Sequence, residues 1–258
     1  MARESNNMPI DSRRGLYEAV FQRRDIREFL PDPIPEEVLA RVLVAAHHAG
    51  SVGFTQPWNF VIVKDLNRRQ ELKRIFEEER AVNAAQFDDD RRIKFLSLKL
   101  EGILEAPLNL IVTCERGRLG PAVLGKTALE DVEIYSTCLA VQNLWLSARA
   151  EGLGVGWVSI LRNDAIRQIF RIPESILPIA YLCMGYVDAF PPRPTLAQVG
   201  WAERLSPRKV LRFDSWENES DDSGNLSRLV EDPTIWSEIF PQGEVPDTAI
   251  PIEAKQRP

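Results

Sequence analysis

The amino-acid sequence predicts an α+β fold built round one core. Only four segments read as strands, against five or six that read as helices, and the two kinds do not alternate as a doubly wound parallel sheet requires. A chain of 258 residues, 44% hydrophobic and 27% charged, has ordinary globular composition and enough length for a core of normal size. No segment reaches the roughly 18–20 apolar residues of a membrane helix.

Asp11 or Ser12 can cap a first helix in which Leu16, Ala19 and Val20 recur at helical spacing; its expected end is the run Arg23-Arg24-Asp25-Ile26-Arg27. Pro31, Pro33 and Pro35 make an extended connector. Pro35-Glu36-Glu37 opens a second helix, with proline in the first turn and acids at the positive end of the dipole. Val38, Leu39, Val42, Leu43, Ala46 and Ala49 form its buried stripe, and Gly50 stops it. A loop, Ser51 to Asn59, leads to a short strand, Phe60 to Val63. Residues 67–80 and 90–104 read as charged, exposed helices on either side of a polar stretch, Asn83 to Asp90, suited to a hinge or lid.

Leu108 to Cys114 is a continuous apolar run and therefore a central strand. Residues 118–130 read as loop. Val132 to Glu151 is a long helix, apolar nearly all round, which places it at the centre of the fold or in a subunit interface. Gly152 to Gly156 reads as a turn into a strand, Trp157 to Ile160; a helix over 164–171 and a strand over 178–186 complete the body. The chain thus divides into an N-terminal tail, 1–11, a body, 12–216, and a C-terminal extension, 217–258.

The net charge of −6 belongs to that extension. From Asp214 onward there are 11 acidic and 3 basic residues, a charge of −8, which leaves residues 1–213 with 29 bases and 27 acids, a charge of +2. No broad basic face exists for nucleic acid. The extension reads as a loosely ordered tail, with Ile235-Trp236 and Ile239-Phe240 as the apolar exceptions able to dock. Residues 1–11 lack an apolar signal-peptide core, so a cytoplasmic location is expected. Cys114, Cys138 and Cys183 each sit in an apolar run and read as reduced, buried thiols; two adjacent histidines, His47 and His48, leave little from which to build a metal site.

Three features carry chemistry. Arg23, Arg24 and Arg27 place three cations within one and a half helical turns, either as cations at a helix C-terminus or as a phosphate clamp. Asp25 among them either neutralises part of the cluster or moves protons beside a ligand. The loop Ser51 to Phe60 combines amides, hydroxyls and three aromatics around Gly53 and Pro57, the mixture a flat heteroaromatic ligand with polar edges needs. The glycines at 152, 154 and 156 are not a dinucleotide fingerprint, because they follow a helix and open a strand. They let backbone pass close to a ligand or to the preceding helix.

Taken in order, RRDIR, SVGFTQPWNF, SLKLEG, APLNLIVTCER, EIYST, AVQNLWLSARAEGLGVGWVSI and GWAERL resemble the 5,6-dimethylbenzimidazole synthases, a branch of the FMN-dependent nitroreductase-like superfamily, over about residues 12–216. The resemblance implies a nitroreductase-like fold with a mixed, mostly antiparallel sheet flanked by helices, and a domain-sharing homodimer with FMN at the subunit interface. It implies reduced FMN and molecular oxygen as substrates, with 5,6-dimethylbenzimidazole (the lower ligand of vitamin B12) and erythrose 4-phosphate as products. A separate NAD(P)H flavin reductase would supply the reduced FMN. On this chain it points to Arg23, Arg24, Ile26 and Arg27 around the FMN phosphate and ribityl, with Arg204 near a C-terminal arm. His47, Ser51, Gly53 and Leu100 would line the flavin site, Asp25 would be the proton-handling carboxylate, Ser159 the hydroxyl near the reactive edge, and residues 80–97 the flap. Two departures stand out: a connector one residue shorter after Arg27, as in ordinary nitroreductases, and a tail longer than the family needs. The alternative activity is an NAD(P)H-dependent FMN nitroreductase or flavin reductase.

Overall fold

A computed structural model describes residues 6–120, 122, 124–125, 129–218 and 224–241. The chain forms two compact units, one of residues 23–190, the other of the residues before 23 together with those after 190.

The larger unit is built on a four-stranded sheet in the order β1-β2-β4-β3, with β1 (Trp58–Val63), β2 (Leu108–Glu115), β3 (Leu153–Val158) and β4 (Ile176–Tyr186). Every pairing of these strands is antiparallel. The apolar run that marked a central strand is β2, buried along nearly its whole length. Its register against β4 slips between Val112 and Thr113, where Pro178 has no N–H to give the ladder.

Strand alternation sends side chains to two cores. Leu108, Leu110 and Val112 face α2 (Glu36–His47) and α5 (Val132–Ala150). Ile111, Tyr181 and Cys183 face α3 (Leu66–Ala84) and α6 (Asn163–Phe170). The sheet is thus sandwiched between helix pairs. Asp65 caps α3, its carboxylate accepting from Asn67 N at 2.8 Å.

Several boundaries differ from expectation. The first helix, α1 (Ile10–Gln22), stops before Arg23, because Ile26 N donates to Val155 O at 2.9 Å and Asp25 makes a parallel bridge with Val155. The arginine run is therefore extended chain along the outer edge of β3. Helix α4 (Asp89–Ser97) ends seven residues before the expected 104. The buried Arg69 guanidinium donates to the carbonyls of Ile103, Leu104 and Ala106, which fixes 98–106 as a folded loop. Residues 80–97 are the end of α3, a short turn and α4, with Phe87 and Phe95 rings 5.2 Å apart. β3 begins at Leu153, so the glycines at 154 and 156 lie within the strand.

Helix α5 buries Ala140, Val141, Leu144 and Ala148, while Tyr135, Cys138 and Leu139 face outward. Cys138 is consequently exposed, unlike Cys114 and Cys183. Among the described residues, no helix is long and apolar enough to cross a membrane.

In the smaller unit part of the extension is ordered against α1. Trp236 meets the rings of Tyr17 and Phe21 edge-on, at 5.0 and 4.9 Å. Ile239 and Phe240 are buried, and Arg14 Nε donates to Ile239 O at 2.9 Å. Arg13 pairs with Glu238 at 2.8 Å. The two apolar pairs noted in the tail thus mark the docked stretch; residues 219–223 and 242–258 lie outside the described residues.

Candidate active site

The site-bearing segments of the larger unit hang from α5. Trp145 Nε1 donates to Arg24 O at 3.1 Å, and the Arg23 guanidinium lies 5.0 Å from the Trp145 ring centroid, a cation–π geometry. Asn143 donates to Ala45 O at 3.3 Å, holding α2 two residues before His47. Val52 N donates to Ser136 Oγ at 3.1 Å, holding the loop after α2. Ser136 and Trp145, nine residues apart, lie roughly 14 Å apart along the helix axis.

Segment 23–27 is tightly determined. Arg24 is 5% exposed, with Nη1 donating to Arg23 O at 2.9 Å. Arg27 grips Asp25 in bidentate fashion, Nη1 to Oδ1 at 2.7 Å and Nη2 to Oδ2 at 2.6 Å. Arg27 Nη2 also donates to Trp157 O at 2.7 Å, and Trp157 N donates to Asp25 Oδ1 at 2.9 Å. The carboxylate and its arginine thus clip the segment to β3. Glycine permits that closeness: a Cβ at Gly156 would stand 2.0 Å from Ile26 O, and one at Gly154 2.9 Å from Ile26 Cγ1. Gly156 thus admits the backbone of Ile26, and Gly154 admits the side chains of Val187 and Ile26. Ile26 itself is buried and acts as a wedge.

The second group surrounds the turn Val52–Phe54. His47 ends α2, and its Nδ1 accepts from Trp58 Nε1 at 3.1 Å; since indole only donates, the remaining ring nitrogen, Nε2, carries the proton of the neutral ring. Ser51 Oγ accepts from Gln56 N at 3.1 Å. Gly53, Phe54 and Gln56 have φ of 60°, 54° and 45°, the left-handed region. Phe54 is 79% exposed.

Ser159 follows the last residue of β3, exposed, and makes no hydrogen bond among the described residues. Arg23, Arg24, Asp25, Ile26, Arg27 and Ser159 therefore share the β3 edge, while His47, Ser51 and Gly53 share the turn after α2. Leu100 packs into the core on the opposite sheet face, and Arg204 is exposed in the smaller unit. Trp145 reads in the sequence as part of an apolar helix and Trp58 as part of the polar-aromatic loop. The polar contact that each makes depends on a partner distant in sequence.

The arginine pair, the clipped carboxylate and the polar-aromatic loop are carried on an antiparallel sheet between helix pairs. That fold is shared with a solved structure. A crystal structure of oxidized iodotyrosine deiodinase bound to FMN and 3-iodo-L-tyrosine superposes with a TM-score of 0.61 at 21% identity, over 78% of this chain and 100% of that one. Residues 20–186 match the nitroreductase family. A 5,6-dimethylbenzimidazole synthase of Rhodospirillum rubrum is 42% identical over 196 residues, 76% of this chain and 92% of the relative. Another from Rhodobacter capsulatus is 35% identical over 193 residues, 75% and 93% of the two chains. The chain belongs to the nitroreductase family, in the branch of the 5,6-dimethylbenzimidazole synthases.

Proposed function

We propose that the chain is a 5,6-dimethylbenzimidazole synthase, converting reduced FMN and molecular oxygen to 5,6-dimethylbenzimidazole and erythrose 4-phosphate, with the pyrimidine part of the isoalloxazine released as a separate fragment. Similarity to two synthases over more than nine-tenths of their length carries this reading. The donor set suits the substrate. Arg23, oriented on Trp145, and the buried Arg24 offer guanidinium groups to a phosphate, for which bidentate geometry is favourable. Ser51, Gly53 and the Nε2–H of His47 give the turn after α2 polar edges for a ring. Bound FMN supplies the redox chemistry of its ring, and the chain supplies grip, orientation and proton handling.

Asp25 is held as an acceptor by Trp157 N and Arg27, and a second lone pair on Oδ2 stays open beside the bond from Arg27 Nη2. In this reading Asp25 takes a proton there while Arg27 fixes the orientation of the carboxylate. In this reading the exposed Ser159 just past β3 donates its hydroxyl to the flavin. Leu100 and Arg204 keep their assignment through the resemblance alone. The working protein is a cytoplasmic homodimer supplied with reduced FMN by a separate NAD(P)H reductase.

The test is aerobic incubation of the purified protein with excess reduced FMN, with products identified by mass spectrometry. Benzimidazole should accumulate, and Asp25→Asn should abolish it while FMN still binds. Reoxidised flavin with no benzimidazole would refute the assignment. Rapid bleaching of bound FMN by NADPH without a helper would establish the reductase reading instead.

A further inference from the structure

We propose that Arg118 is the positioning residue that holds the turn after α2 in its ligand-binding shape. Arg118 lies in the segment after β2, remote in sequence from that turn. Its guanidinium nevertheless donates to four acceptors: Nη1 to Gln56 O and to Trp58 O (3.1 Å), Nη2 to Asn59 Oδ1 and to Glu115 Oε2 (2.9 Å). Three of the four belong to residues 56–59. Glu115 N in turn donates to Pro57 O at 2.7 Å, closing the clamp through the backbone.

The turn needs such a clamp. Phe54 and Gln56 both sit at positive φ, which side-chain-bearing residues adopt only where the surroundings dictate it. Ser136 and Ser51 restrain its first half, through Val52 N and Gln56 N. Arg118 restrains its second half, and with it Trp58, whose indole holds His47. A lysine cannot replace it, since one ammonium point charge does not bridge three separated acceptors in the fixed geometry of a planar fork. The functional side of the proposal rests on the reading that this turn faces flavin; the clamp itself does not.

The experiment compares wild type, Arg118→Gln and Arg118→Lys by hydrogen exchange of the amides at 52–56, by Kd for FMN from flavin fluorescence quenching, and by melting temperature. Both variants should exchange those amides about tenfold faster or more, as expected when local restraints are removed. Both should bind FMN about tenfold more weakly, and they should melt close to wild type. Wild-type exchange and affinity in Arg118→Gln would overturn the proposal. Full rescue by Arg118→Lys would also overturn it, because a simple charge pair with Glu115 would then suffice. If Arg118→Gln does not fold, Glu115→Gln, which frees one side of the guanidinium, should give the same two changes at smaller size, and an unchanged Glu115→Gln would refute the clamp. If wild type binds no FMN, the flavin reading fails while the exchange arm still decides the role of Arg118.

Discussion

Gly156→Ala tests how the β3 edge is built. The added methyl would lie 2.0 Å from Ile26 O and 2.4 Å from Arg27 Nη1, far inside contact distance. The backbone carbonyl cannot rotate away as a flexible side-chain tip would, so segment 25–27 has to lift from β3. Lifting it breaks the bonds Ile26 N to Val155 O, Arg27 Nη2 to Trp157 O and Trp157 N to Asp25 Oδ1. One neutral bond contributes about 1 kcal/mol and a charge-assisted one about 1.5–3 kcal/mol. The Asp25 side chain is 48% exposed, so its share is discounted, and the expected loss is about 3–5 kcal/mol. In a chain of this size, that lowers the melting temperature by roughly 6–20 °C. Urea denaturation measures the loss directly, and on the proposed reading FMN titration should show weakened binding, because the displaced segment adjoins Arg23 and Arg24. Gly50→Ala is the control, since a Cβ there meets nothing within 4 Å. A Gly156→Ala protein within about 1 kcal/mol of Gly50→Ala would refute the packing argument.

Two further outcomes follow from other parts of the molecule. Burial pushes the Cys183 thiol up to about 12, so the folded state holds this proton where the unfolded chain releases it. Its contribution to stability is complete below the ordinary thiol range and is lost as pH rises toward 12. Cys183→Ala should therefore lose less urea resistance than wild type between pH 9 and pH 11; parallel curves would count against it. Trp236→Ala removes the ring that meets Tyr17 and Phe21, each aromatic contact being worth about 0.5–1.5 kcal/mol beyond burial. Trypsin should then cut sooner at Arg13 and Arg14, and an unchanged digestion pattern would show that the docked segment does not protect α1.

Much of the architecture was legible in the residues themselves. The continuous apolar run at 108–114, the proline-led start of α2 and the long apolar span of α5 each specify an element locally. Boundaries set by distant partners were not legible. The end of α1 depends on Val155 accepting a bond from Ile26, and the end of α4 depends on Arg69 reaching the carbonyls of 103–106. The start of β3 was hidden because glycine normally signals a turn, whereas here its missing Cβ admits a neighbouring backbone. Of the candidate site, the arginine run and the polar-aromatic loop could be found by residue type. The mutual capture of Asp25 and Arg27 could not, since spacing alone does not show whether a nearby cation is a free clamp or a bound partner.

Suspending three backbone segments from one helix has a mechanical consequence. Because Ser136, Asn143 and Trp145 belong to a single rigid rod, the spacing between the anchor at Arg24 and the anchor at Val52 is set by helical pitch, not by loop length. Insertions in the connectors leave that spacing untouched, whereas one residue added to or deleted from α5 between 136 and 145 would rotate one anchor by about 100° relative to the other. Lineages that diversify this scaffold are thus expected to vary its loops freely while keeping the length of that helical span fixed.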